Sequence, residues 1–253
     1  MAATKPKRRA ITQDDLYDVR YVSEAVFSPD GLHAAYVLAE VEGKGDTEAQ
    51  RFSIWLAKTD GTGRPRRLTR GKGNSYLPRF TPDGRELCFL SSRDAVPQIY
   101  AMPLDGGEPE QITDLPQGAG AFEISPDGRS FVFAALAAPP PKPDENAHAR
   151  IDRFWYRFDP IGGYLDDARQ SVFLQTRGGK AKVLSDQGGL VLAATFSPDG
   201  RRLAILRTGL PHHKIFDADL SVLDLQRGGR EKTLIERFGL MTAAWSADGR
   251  HIL

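Results

Sequence analysis

A chain of 253 residues, 40% of them hydrophobic, is long enough to bury a sizeable core as one large domain or two ordinary ones. Its 34 Lys and Arg residues are balanced by 33 Asp and Glu residues, so no net charge directs it to nucleic acid or to an anionic membrane. The single cysteine, Cys88, excludes an internal disulfide, and no apolar run approaches the roughly 20 residues needed to cross a bilayer.

The first 19 residues, 1–19, are predicted to form an extension that precedes the folded domain. A basic cluster from Lys5 to Arg9 is followed by acidic residues, where a secretory signal would carry an apolar stretch. We therefore expect the protein to be cytoplasmic.

One pentapeptide pattern recurs along the chain. It reads FSPDG, FTPDG, ISPDG, FSPDG and WSADG, starting at Phe27, Phe80, Ile124, Phe196 and Trp245. Proline presets the second position of a type I turn, aspartate suits the third, and glycine adopts the left-handed conformation that follows. Since each of the first four copies ends one hydrophobic stretch and precedes another, we interpret the pattern as a hairpin turn between two strands.

A second, glycine-containing turn follows within each unit, at TDGTG from Thr59, LDGG from Leu104, TRGG from Thr176 and LQRGG from Leu225. One unit is thus four strands joined by turns. Because such a small sheet cannot bury both faces alone, several must stack, and stacked four-stranded units are typical of a β-propeller. The predicted fold class is all-β: a β-propeller of four-stranded antiparallel blades, incomplete.

We place four blades at about 20–69, 76–113, 119–185 and 190–235, and the start of a fifth at 241, so that 20–253 form a partial propeller. The last copy of the turn is followed by only one short apolar stretch. Because an open array leaves unpaired strand edges, we expect the chain to be the front portion of a longer protein.

Long insertions occur between the second and third strands of a unit, from Glu40, from about Ala138 to Gln170, and from Gly209. In a meander, this connection lies on the face opposite the two tight turns. Since long loops on a rigid scaffold often carry recognition, the insertion face is predicted to be the working surface.

Two segments carry a family resemblance. ITQDDLYDVRYVSEAVFSPDGLHAAYVLAEV, from Ile11, resembles the opening segment of prolyl oligopeptidase family serine peptidases, particularly the acylaminoacyl-peptidase and dipeptidyl-aminopeptidase branch. RIDRFWYRFDPIGGYLDDARQSVFLQTRGGKAKVLS, from Arg150, is similar to a segment of the same branch. The likeness extends from about Ile11 to Leu253.

The resemblance implies an N-terminal propeller followed by a C-terminal α/β-hydrolase domain, whose Ser, Asp and His form the catalytic triad with the serine in a G-x-S-x-G motif. This sequence contains no G-x-S-x-G, so no catalytic residue is assigned and the hydrolase domain is expected to lie outside this chain. The implied parent enzyme hydrolyses short peptides, while the propeller restricts access to a cavity between the domains. Peptide substrates and that hydrolase domain are the implied partners.

Three residues of the longest insertion, Tyr156, Arg157 and Tyr164, are the candidate substrate-facing residues. An arginine there could pair with a peptide carboxylate. The alternative is that the aromatic side chains of this insertion pack it against its blade. Related dipeptidyl peptidases hold the substrate amino terminus with acidic residues, for which the insertion offers Asp144, Glu145, Asp152, Asp159, Asp166 and Asp167 but no Glu-Glu pair.

No metal and no cofactor is predicted. The adjacent His212 and His213 match no zinc pattern, and neighbouring residues of an extended loop point apart. A rival hypothesis of another class is a non-enzymatic binding or scaffold propeller, similar to the periplasmic Tol-system propeller or to WD-repeat modules. The sequence leaves the oligomeric state open.

Overall fold

A computed structural model describes residues 9–43, 49–138, 157–158, 163–164, 169–208, 217–226, 230–239 and 242–253. Within this part of the chain, a short 3₁₀ helix, Gln13–Asp18, precedes four four-stranded antiparallel sheets, which we call blades 1 to 4. Each blade is a meander in which strands that follow one another in the blade are hydrogen-bonded neighbours. The predicted fold class, an incomplete propeller, is confirmed.

The strands of the blades have the following bounds. Blade 1 contains β1 (Tyr21–Phe27), β2 (His33–Glu42), β3 (Ala49–Lys58) and β4 (Arg66–Arg67). Blade 2 contains β5 (Ser75–Phe80), β6 (Glu86–Ser91), β7 (Gln98–Pro103) and β8 (Glu110–Gln111). Blade 3 begins with β9 (Phe122–Ile124) and β10 (Ser130–Leu136).

A separate two-stranded ladder, β11 (Arg157–Phe158) and β12 (Gly163–Tyr164), lies in the insertion of blade 3. The blade is completed by β13 (Gln170–Thr176) and β14 (Lys182–Ser185). Blade 4 contains β15 (Val191–Phe196), β16 (Arg202–Thr208), β17 (Ala218–Asp224) and β18 (Glu231–Phe238). A bridge between Trp245 and Ile252 begins a fifth blade.

The repeated turn is held by its own side chains, as blade 4 shows. Asp199 accepts hydrogen bonds from the Ser197 hydroxyl and from the Arg201 N–H, at 3.1 Å for the latter. The serine hydroxyl in turn accepts the Arg202 N–H at 3.0 Å. These hydroxyl donors are the largest cause holding the pKa of the repeated aspartates below its ordinary value, as at Asp199.

The same turn also joins neighbouring blades. A Cβ placed on Gly200 would lie 3.6 Å from the Cδ of Pro126 in the preceding blade, which is ordinary van der Waals contact. The same spacing recurs between blades, since a Cβ on Gly84 would lie 3.6 Å from Pro29, one on Gly128 3.5 Å from Pro82 and one on Gly249 3.4 Å from Pro198. The glycine of each of these turns therefore lies close to the proline of the turn in the preceding blade.

The hydrophobic core consists of layers between blades. In β6, Leu87 and Phe89 pack toward blade 1, whereas Cys88 and Leu90 pack toward blade 3, and all four are at most 1% exposed. A strand buried on both faces has a continuous apolar sequence rather than an alternating one. Cys88 is a free thiol, and its burial raises its pKa to about 12.

Several sequence expectations fall outside the described residues, among them Tyr156, the six acidic residues of the insertion, and the pair His212 and His213. The proposed domain limits, including the extension 1–19 and an external hydrolase domain, remain a prediction. No helix of the described residues is long and apolar enough to span a membrane.

Candidate functional site

First strands of neighbouring blades contact each other in blades 1 and 2 and in blades 3 and 4. β1 contacts β5 and β9 contacts β15, and the Trp245 indole Nε1–H donates to the Thr195 carbonyl at 3.2 Å. In a propeller, the strands that meet in this way surround the central axis. Each of four consecutive blades places a polar residue there, and we call Glu24, Arg79, Glu123 and Thr195 the axial cluster.

An ion pair joins the first two members of the axial cluster. Arg79 Nη1 lies 2.6 Å from Glu24 Oε1 and also donates to the Pro78 carbonyl at 2.7 Å. The two side chains are 34% and 26% exposed, so water still reaches the pair. A half-exposed pair of this kind contributes about 1 kcal/mol or less to stability. The pair also places one positive and one negative charge side by side between blades 1 and 2.

Glu123 has a different environment. Burial raises the pKa of its carboxyl to about 7, against the opposing effects of the Phe196 backbone N–H and of the Arg79 charge. A carboxyl with this pKa gains or loses its proton close to neutral pH. The charge of the axial cluster therefore changes within the range in which most enzymes work.

Thr195 contributes an unsatisfied polar atom. Its Oγ1 is buried and, among the described residues, has no hydrogen-bond partner. Most buried hydroxyls are hydrogen-bonded, and leaving one unpaired costs about 1 to 3 kcal/mol. Thr195 therefore has unused capacity to donate and accept a hydrogen bond beside the axis.

The backbone at the axial cluster is irregular. The pairing of β5 with β6 shifts register between Tyr76 and Arg79, and Leu77 in between has φ of 53°, which is unusual for a residue with a side chain. A bulge of this kind redirects the side chain that follows it. Local strain and a perturbed carboxyl pKa are both more frequent at functional sites than elsewhere.

The predicted substrate-facing residues lie elsewhere in the fold. Arg157 and Tyr164 are cross-strand partners in the β11–β12 ladder, while Tyr156 lies outside the described residues. The structure does not test whether any of them contacts a substrate, so their role stays a prediction.

Sequence reasoning missed the axial cluster, although the repeat contained a signal for it. Arg79, Glu123 and Thr195 each immediately precede the hydrophobic residue that begins the repeated turn, and Val26 and Ala244 occupy that position in the other two copies. Arginine, glutamate and threonine at a repeat position that holds valine or alanine in the other two copies would have marked the site. Among the described residues, no group of three or more His, Cys, Asp or Glu side chains could hold a metal ion.

Comparison with known proteins gives a consistent set of relatives. Residues 14–139 match the family described as TolB beta propeller domain. The uncharacterized peptidase YuxL of Bacillus subtilis is 30% identical over 205 residues, which cover 78% of this chain and 31% of that protein. Dipeptidyl-peptidase 5 of Porphyromonas endodontalis is 26% identical over 125 residues, which cover 49% of this chain and 18% of that protein.

Among solved structures, the acylaminoacyl peptidase of Pyrococcus horikoshii superposes with a TM-score of 0.67 at 16% sequence identity. The superposition covers 94% of this chain and 36% of that one. At this identity the likeness shows the fold alone. The chain thus spans well under half the length of each of these three relatives.

Proposed function

Because the chain matches the propeller portion of prolyl oligopeptidase family peptidases, as its sequence predicted, we propose that it is the non-catalytic, substrate-gating part of a serine peptidase. The parent enzyme would hydrolyse short peptides in the manner of an acylaminoacyl or dipeptidyl peptidase, using a Ser-Asp-His triad in a C-terminal hydrolase domain. The observation that carries this proposal is the 30% identity to a peptidase over 78% of the chain. We place the parent enzyme in the cytoplasm.

The axial cluster gives the proposed gate its chemistry. A peptide that enters along the axis would face the Glu24–Arg79 pair of blades 1 and 2 and Glu123 of blade 3. These side chains can offer hydrogen bonds and charge to a peptide backbone without cutting it. The proposal also includes contact between the peptide and the insertion residues Tyr156, Arg157 and Tyr164 at the insertion face.

A serine-directed phosphonate probe tests this function. The longer reading frame that contains this chain and the chain by itself are expressed separately and incubated with the probe. We expect labelling of the longer protein at the serine of a G-x-S-x-G motif and none of the isolated chain. Labelling of any serine within residues 1–253, or a longer reading frame without that motif, would contradict the proposal. Fractionation of cells that express the longer protein tests its cytoplasmic location.

A second candidate function is a binding propeller without enzymatic activity. It is favoured by the match of residues 14–139 to the family described as TolB beta propeller domain, a description that names no peptidase. Under this alternative, the longer protein would resist the phosphonate probe. Hydrolysis of a short peptide by the longer protein would exclude it.

A further inference from the structure

The outer edge of blade 1 carries a concentrated positive charge. Five of the nine residues from 64 to 72 are basic and none is acidic, the basic ones being Arg64, Arg66, Arg67, Arg70 and Lys72. This stretch contains β4, the fourth strand of its blade, and continues toward blade 2. It is therefore distinct from the axial cluster, which lies on first strands.

The stretch borders a cleft of about 650 Å³, which we call the arginine cleft. Arg66, Arg67 and Arg70 line it together with Trp55 and Glu42. The volume falls in the range of small-molecule sites, about 300 to 1,000 Å³.

Two of the three arginines are oriented by main-chain carbonyls. Arg66 Nη2 donates to the Leu104 carbonyl at 3.1 Å, and Arg67 Nε donates to the Thr69 carbonyl at 2.9 Å. A carbonyl fixes the direction of a guanidinium but leaves its positive charge in place. Each of these two side chains keeps further N–H donors, since a guanidinium carries five.

Acidic neighbours compensate this charge only in part. Glu42 is paired with Arg51 at 3.1 Å, and Glu40 approaches Arg67 at 4.0 Å, the outer limit of an ion pair, while it also lies 3.5 Å from Arg20. Within the described residues, Arg70 has neither a hydrogen-bond nor an ion-pair partner. The arginine cleft thus holds a net excess of positive charge.

We propose that the arginine cleft binds the phosphate group of a small phosphorylated ligand. A phosphate monoester carries close to two negative charges at neutral pH and three acceptor oxygens, which suits converging guanidinium groups. Trp55, whose indole Nε1–H is held by the Ser53 hydroxyl at 3.1 Å, supplies an apolar wall for the organic part of the ligand. At Gly71 φ is 96° and a Cβ would meet nothing within 4 Å, so the backbone leaves room there.

The site does not depend on the peptidase assignment, because it uses other residues and a different part of the blade. A longer protein that proved to be a scaffold would keep it. A failure to bind phosphate would likewise leave the proposed peptidase function untouched.

Isothermal titration of this chain with inorganic phosphate, and then with adenosine monophosphate, tests the proposal at constant ionic strength. We expect saturable binding of both, weakened about tenfold by Arg70→Gln or Arg67→Gln. The matched control is Arg129→Gln, which removes an exposed arginine on the turn face of blade 3 and is expected to leave binding unchanged. Trp55→Ala should weaken the binding of adenosine monophosphate more than that of inorganic phosphate.

Thermal unfolding of each variant shows whether it remains folded. Two results would overturn the proposal: no saturable binding of either probe by the folded chain, or an equal loss of affinity in Arg70→Gln and Arg129→Gln. Displacement of phosphate by an equal concentration of chloride would also overturn the proposal, because it would indicate charge screening rather than a site. Binding of adenosine monophosphate should also tighten from pH 5.5 to 7.5, because a phosphate monoester loses its second proton near pH 6.

Discussion

Replacing Glu123 by glutamine should make the stability of this propeller less dependent on pH. In the folded chain, burial holds the carboxyl pKa at about 7, whereas the ordinary value of 4.5 applies to the unfolded chain. Between these two values the unfolded state loses the proton and the folded state keeps it. The free energy of unfolding therefore falls as the pH rises through this window, and the loss is complete above pH 7.

The size of the effect follows from the two pKa values. At about 1.4 kcal/mol for each pH unit, the loss reaches roughly 3 kcal/mol above pH 7. Below pH 4.5 the loss vanishes, because both states hold the proton. The amide of Glu123→Gln stays neutral throughout and keeps an oxygen that can accept the Phe196 N–H. We therefore expect the variant to equal the wild type near pH 4.5 and to exceed it by up to about 3 kcal/mol at pH 8.

Urea unfolding of both proteins at intervals from pH 4.5 to pH 8.5 measures the difference directly. Other groups titrate in both proteins, so only the difference between the two curves is informative. Glu108→Gln is the matched control, because it makes the same substitution at a residue exposed on a turn of blade 2. A difference for Glu123→Gln that is the same at pH 5 and at pH 8 would refute the reasoning.

Three further predictions concern packing, backbone conformation and charge. Phe133→Ala removes a fully buried ring whose centroid lies 5.6 Å from that of Phe173. It should lower the free energy of chemical unfolding by about 3 to 5 kcal/mol, and an unchanged stability would refute this. Gly189→Ala should cost about 3 kcal/mol or more, because its Cβ would lie 1.9 Å from the Thr208 carbonyl oxygen. Gly61→Ala, with the same φ of 75° in open space, should cost only about 1 to 2 kcal/mol, and equal losses would show that strain rather than the clash dominates.

Arg177→Ala should lower stability by about 1 kcal/mol at low salt and by less in 1 M salt. The reason is that Arg177 of blade 3 forms ion pairs with Glu86 and Glu110 of blade 2, and these carboxylates raise its pKa. A loss that does not depend on salt would instead indicate packing by the arginine stem.

The stacked blades could be predicted because the information is local and repeated. Proline, aspartate and glycine in a fixed order define a turn within five residues, and a strand such as β6 shows its burial on both faces as a continuous apolar run. The family resemblance rested on contiguous segments for the same reason. Each of these features depends on neighbours in sequence rather than on distant contacts.

The axial cluster depends on distant contacts instead. Glu24, Arg79 and Glu123 are separated by 55 and 44 residues, and only the stacking of first strands brings them to one axis. The pKa of Glu123 depends on how deeply the neighbouring blade covers it, a quantity absent from any local pattern. The strained backbone at Leu77 likewise follows from a bulge that the tertiary pairing selects.

The sequence by itself determined the strand order, the turns, the apolar layers and the family that the chain resembles, because short-range stereochemistry and hydrophobic periodicity encode them. Only the tertiary structure decided which proline meets which glycine across a blade boundary, which charges face one another at the axis, and that Arg66, Arg67 and Arg70 border one cleft with Trp55. The physical reason is that burial and electrostatic interaction depend on distance in space. The repeat specifies each blade, whereas the stacking of blades creates the sites.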